Sequence, residues 1–107
     1  MNILVLESDP VEQTHISNIL GDAHASIRYE TTIPQAINSL GIQHTDLALV
    51  DADCNGSIGR WTDLVDFLKN CKIDYAVYSS NGKVGFCGGQ QIVAMHDIPN
   101  VVLGHAV

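Results

Sequence analysis

The chain has 107 residues, 46% of them apolar and 16% charged, with a net charge of −7 at neutral pH. This composition describes one small globular domain with a single core, and no apolar run approaches the roughly 20 residues that a membrane span needs. The positive side chains, apart from the histidines, are Arg28, Arg60, Lys69, Lys72 and Lys83, a balance that argues against nucleic acid or an anionic membrane surface as a direct partner and leaves cations and basic protein surfaces.

Residues 2 to 6 read as a strand buried on both faces, because the apolar run Ile3-Leu4-Val5-Leu6 is continuous rather than alternating. Asp9-Pro10 follows as a helix cap with proline at the first helical position, and Val11, Ile16, Ile19 and Leu20 give residues 10 to 20 one apolar face. Gly21 is placed to end this helix. Residues 25 to 31 alternate like a strand. A second helix is expected from near Thr32, with Pro34 early, a stripe of Ile33, Ala36, Ile37 and Leu40, and Gly41 as its stop.

Residues 46 to 51 are again a continuous apolar run closed by Asp51, and turn formers occupy 52 to 57. Ile58, Trp61, Leu64, Val65 and Leu68 share one helical face up to about Asn70, and Tyr75 to Ser79 reads as the fourth strand. Beyond it the signals conflict. Asn81-Gly82 suits a hairpin turn, and Gly85, Gly88 and Gly89 are poor in a helix, each costing about 1 kcal/mol relative to alanine. The expectation is a loop at 80 to 88, a short helix near 89 to 96 and a fifth strand from Asn100 to Gly104, with the last helix missing or truncated.

Strand and helix alternating on short links imply a doubly wound, five-stranded parallel sheet with helices on both faces, flavodoxin-like, in the order 2-1-3-4-5. Residues 1 to 107 form one such domain, standing alone or as the N-terminal part of a longer protein. Three cysteines, Cys54, Cys71 and Cys87, without C-x-x-C spacing read as reduced thiols in the cytoplasm rather than a disulfide or zinc framework.

The sheet order has a consequence for chemistry. Strands 1 and 3 are neighbours at the switch point, where ligands bind outside the carboxyl ends. Glu7 and Asp51 close those two strands, with Asp9 close by. Crowded carboxylates raise one another's pKa or hold a cation. An oxygen-only, partly open site suits Mg2+, and a carboxylate of this kind can attack phosphorus to give an aspartyl phosphate.

These segments carry a resemblance. Ile3-Leu4-Val5-Leu6-Glu7-Ser8-Asp9-Pro10, Asp46-Leu47-Ala48-Leu49-Val50-Asp51, Gly59, Ala76-Val77-Tyr78-Ser79 and Val102-Leu103-Gly104-His105-Ala106-Val107 together resemble a CheY-like response-regulator receiver domain over nearly the whole chain. The resemblance implies Asp51 as phosphoacceptor, and Glu7 with Asp51 as ligands of Mg2+, helped by Asp9 or Asp53. It also implies Ser79 as the switch hydroxyl and His105 in the place of the family's lysine. Its partners would be a histidine kinase or phosphotransfer protein and an output domain or protein, with homodimerisation open. Three departures stand against it. Ser8 replaces the second pocket acid, His105 and Ala106 replace Lys-Pro, and the interval from Ser79 to His105 is long.

Two functions follow. In one, a kinase phosphorylates Asp51 and the switch alters a protein contact. In the other, the domain is a pseudo-receiver that binds its partner without phosphorylation. A nucleotide- or flavin-binding role is disfavoured, because the first strand–helix turn has carboxylates where glycines would admit a phosphate.

Overall fold

Two apolar runs lie side by side at the centre of the molecule. The structure, a computed structural model, describes residues 1–21, 25–53, 55–56, 59–79, 85–87 and 90–106. Strands β1 (Asn2–Leu6) and β3 (Leu47–Asp51) pair in parallel. β2 (Ser26–Glu30) lies outside β1, and β6 (Asp74–Ser79) outside β3. β8 (Gln90–Ala94) follows β6, also parallel. The five parallel strands β2-β1-β3-β6-β8 thus have the expected 2-1-3-4-5 order. A short antiparallel strand, β7 (Gly85–Cys87), adds a sixth at the β8 edge. A two-residue bridge joins β4 (Asn55–Gly56) and β5 (Gly59–Arg60) beyond β3.

Helices cover both faces, as continuous apolar strands require. On one face α2 (Ile33–Ile42) and α3 (Trp61–Asn70) pack Ile33, Ala36, Trp61, Leu64 and Leu68 onto Leu4, Leu6, Ala48 and Val50. On the other, Ile16 and Leu20 of and after α1 (Pro10–Ile19) join Ile98 and Val102 of α4 (Ile98–Ala106) against Ile3, Val5, Leu47, Leu49 and Tyr78. The caps follow the sequence. The Asp9 carboxylate accepts from the Val11 amide at 2.9 Å, and Thr32 Oγ1 from Gln35 at 3.3 Å. α2 runs through Gly41 to Ile42 rather than stopping. That glycine sits on an open helix surface, where a Cβ would meet nothing within 4 Å. α3 begins at Trp61, later than the apolar stripe suggests, because the bridge strand β5 precedes it; Ile58 lies outside the described residues.

The last third departs from expectation. The fifth parallel strand is 90–94, where a helix was expected, and a helix occupies 98–106, where a strand was expected. The last helix is therefore present. Four helices form in all among the described residues, and the one that is absent there is the crossover between the fourth and fifth parallel strands. The reason is local. β-branched Ile92 and Val93 suit a strand, while Pro99 belongs in a helix's first turn, where its missing N–H costs nothing. The glycines of 82 to 89 disfavour a helix in the crossover, and Gly85 takes a φ of 126°. The Asn81-Gly82 turn falls outside the described residues. β7 instead pairs antiparallel with β8, Cys87 opposite Gln90.

α3 ends in a left-handed turn. The Lys72 amide donates to the Lys69 carbonyl at 3.1 Å, and the Ile73 amide to Leu68 at 3.0 Å. This closure needs a left-handed residue after the cap, and Lys72 supplies it with φ 58°. A lysine in that conformation is strained by about 1–2 kcal/mol, whereas glycine is not. Lys72→Gly should therefore raise the stability by about 0.5–1 kcal/mol in urea unfolding, after the entropy glycine gains in the unfolded chain is deducted. A loss of stability would show that the lysine side chain holds the turn.

Candidate functional site

The register of the sheet builds the site. Leu6 pairs with Val50, so the next residues, Glu7 and Asp51, stand side by side about one strand spacing (~4.8 Å) apart. Strand alternation sends both side chains to the face that carries Val5, Leu49 and Tyr78. Both are buried, Glu7 at 1% exposure and Asp51 at 3%. The ends of β1 and β3 are tied to their neighbours. The Glu7 amide donates to Glu30 at 3.0 Å, and the Ala52 amide to Tyr78 at 2.8 Å.

Every oxygen of Glu7 is engaged. Its Oε1 accepts from the Tyr78 hydroxyl at 2.8 Å, its Oε2 from the Asp9 amide at 3.2 Å, and its carbonyl from Gln13 Nε2 at 2.7 Å. The Glu7 carboxyl lies beside that of Asp51, close enough for the two to share a hydrogen bond when one of them is protonated. Asp51 Oδ1 also accepts from the Asp53 amide at 3.0 Å. The Ser79 hydroxyl, at the end of β6 and 1% exposed, donates to Asp53 Oδ2 at 3.0 Å. Burial pushes Asp51 up to about 7, opposed by the Asp53 amide and reinforced by the charges of Glu7 and Asp53.

Of the residues singled out from sequence, the structure brings together Glu7, Asp51, Asp53 and Ser79. Asp9 contributes its amide, but its carboxylate caps α1 and is exposed. Ser8 is exposed beside the pocket. His105 is not at the lysine position, a correction to the sequence reading. The end of β8 that pairs with Ser79 is Ala94, followed by Met95 and His96, and His105 lies in α4. The error follows from placing the fifth strand ten residues late. Cys54, Ser80 and Lys83 lie outside the described residues. Among the described residues no cluster of three or more His, Cys, Asp or Glu is arranged to hold a metal ion.

Sequence reasoning missed Tyr78. It hid in an apolar strand as a core residue, which it is, with no exposure. The available signal was that a buried tyrosine needs a partner for its hydroxyl, and it stands one residue before the strand end, where the acids gather.

No protein-family model matches the chain, and no curated protein matches it by sequence. Its likeness to solved structures is one of shape. A structure of the histidine kinase ThkA in complex with the response regulator protein TrrA contains a chain that superposes with a TM-score of 0.82 at 11% identity, covering 99% of this chain and 98% of that one. A signal receiver domain from Vibrio parahaemolyticus gives 0.79 at 14%, covering 97% and 88%. A CheY-like response regulator receiver domain protein from Methanospirillum hungatei JF-1 gives 0.73 at 14%, covering 98% and 89%. The fold is that of a CheY-like response-regulator receiver domain. In this receiver fold the Glu7–Asp51 pair sits at the carboxyl ends of the central strands, at the switch point.

The buried pair makes stability depend on pH. Asp51's folded pKa of about 7 lies above its value of about 4 in an unfolded chain. The folded state therefore holds more protons between those values. The contribution is complete below pH ~4 and is lost as pH rises through about 7. Asp51→Asn, which mimics the protonated carboxyl, should remove that dependence. The variant's stability relative to the natural chain should grow from pH 5 to 8, by on the order of a few kcal/mol. A difference that stays constant across this range in denaturant titrations would mean that Asp51 ionises normally.

Proposed function

We propose that this chain is a receiver-fold interaction module of two-component signalling, and that its contact with a protein partner does not require a phosphoryl group on Asp51. The observation that carries this reading is the closed polar circuit Tyr78–Glu7–Asp51, in which the carboxyl expected to react is buried and hydrogen-bonded to its neighbour. A carboxylate attacks phosphorus through a free oxygen lone pair. With its pKa pushed up to about 7 by burial, Asp51 offers less free carboxylate at neutral pH than an ordinary aspartate, and the Glu7 carboxyl beside it competes for its oxygens.

Magnesium does not fit the residues as they stand. Glu7's carboxylate oxygens already accept from Tyr78 and Asp9, Asp9's own carboxylate caps a helix, and Ser8 brings no charge. Ala94, Met95 and His96, which close β8, bring no lysine to balance a phosphoryl group. A partner contact remains the natural output of a receiver fold. The ThkA–TrrA complex is one such contact between a kinase and a response regulator.

A second reading keeps Asp51 as a phosphoacceptor fed by a histidine kinase. Ser79 favours it. Its hydroxyl is buried at the end of β6, bonded to Asp53 beside Asp51, a place from which it could meet a phosphoryl group.

The two readings separate in one experiment. Beryllofluoride or acetyl phosphate is added with millimolar Mg2+ while amide shifts of Asp51, Asp53 and Ser79 are followed by NMR. The interaction-module reading expects no saturable shift, and expects Asp51→Ala to retain signalling output in cells. Saturable shifts together with loss of output in Asp51→Ala would establish the phosphoacceptor instead.

A further inference from the structure

Tyr78 belongs to two places at once. Its ring is fully buried in the cluster formed by α1, α4 and the sheet, together with Met95, Ile98 and Val102. Its hydroxyl leaves that cluster at the strand ends, where it donates to Glu7 Oε1 at 2.8 Å and approaches the Leu6 carbonyl at 3.4 Å. No other side chain among the described residues both belongs to that apolar cluster and hydrogen-bonds to the Glu7–Asp51 pair. The backbone ties it further. Tyr78 pairs with Asp51 on one side and with Val93 on the other, and Val93 leads through Ala94 and the turn Met95–Asp97 directly into α4.

We propose that Tyr78 is a mechanical link between the acidic pocket and α4, so that a change in the bonding of Glu7 is read out as a change in the packing of that helix. A rigid aromatic ring carries a displacement of its hydroxyl to its packed edge, because a close-packed core does not absorb movement by compression. The hydrogen bond at the pocket end is buried, and a buried hydroxyl left without its partner is costly. Weakening it releases the hydroxyl, and the ring can then shift within the core cluster it shares with Met95, Ile98 and Val102. α4 also presents Leu103 to solvent, 63% exposed, so repacking the helix would move an apolar side chain on the molecular surface. The link does not depend on whether Asp51 accepts a phosphoryl group, since it starts at Glu7.

The test is a double-mutant cycle read by amide hydrogen exchange. Glu7→Gln keeps the size of the side chain and replaces its carboxyl by an amide, and Tyr78→Phe keeps the ring and removes the hydroxyl. In the natural background, Glu7→Gln should speed exchange of the α4 amides from Val101 to Leu103 about 5- to 10-fold, the change expected when a buried hydrogen bond worth about 1 kcal/mol is weakened. In the Tyr78→Phe background the same Glu7→Gln change should alter α4 exchange by less than about twofold, because the link is already cut. Amides of β1 and β3 serve as the control for global loss of stability, and α4 rates are taken relative to them. Equal acceleration of α4 in both backgrounds, or none in the natural one, would overturn the proposal.

Discussion

Two carboxyl groups with no room for two charges dominate this molecule. Parallel pairing of β1 with β3 places Glu7 and Asp51 about one strand spacing apart, and helix packing on that face takes both out of water. Two unit charges at that distance repel by about 3–4 kcal/mol at an effective dielectric of about 20, before the cost of desolvating either. Burial and that repulsion push the Asp51 carboxyl up to about 7, and donors surround the pair: the Tyr78 hydroxyl, the Asp9 amide and the Asp53 amide.

Much of the surrounding architecture serves that arrangement. The Asp9 cap starts α1 where its amide can reach Glu7, and Gln13, one turn on, holds the Glu7 carbonyl. Asp53 stands between the pair and Ser79, joined to Asp51 through its amide and to Ser79 through its carboxylate. The pocket is thus a continuous polar chain from β1 across β3 to β6. It shares Tyr78 with the apolar layer beneath α1 and α4. Site and core are consequently one mechanical unit rather than a surface feature laid over a scaffold.

The centre of the fold was legible in the sequence because its signals are redundant. Ile3–Leu6 and Leu47–Val50 are continuous apolar runs of strand length, and Asp9-Pro10 and Thr32 mark helix starts that the structure keeps. The positions of Glu7 and Asp51 followed from strand ends, whereas Ser79 was singled out by the resemblance. The C-terminal third was not legible, because its local signals compete. Gln90–Ala94 is short and only half apolar, and the glycines around it weaken any pattern. Once the fifth strand was displaced, His105 was carried with it to a position that belongs to the residues after Ala94. Tyr78 was missed for another reason. Periodicity reports which face a residue takes, not where the far end of a long side chain arrives.

The account turns on a proton held at the strand ends. The direct measurement is the pH titration of the Asp51 side-chain carbon by 13C NMR, with Asp51→Asn used to assign the signal. The account predicts a midpoint near the value of about 7 given by burial beside Glu7. A midpoint near 4, the ordinary value for an aspartate, would contradict it.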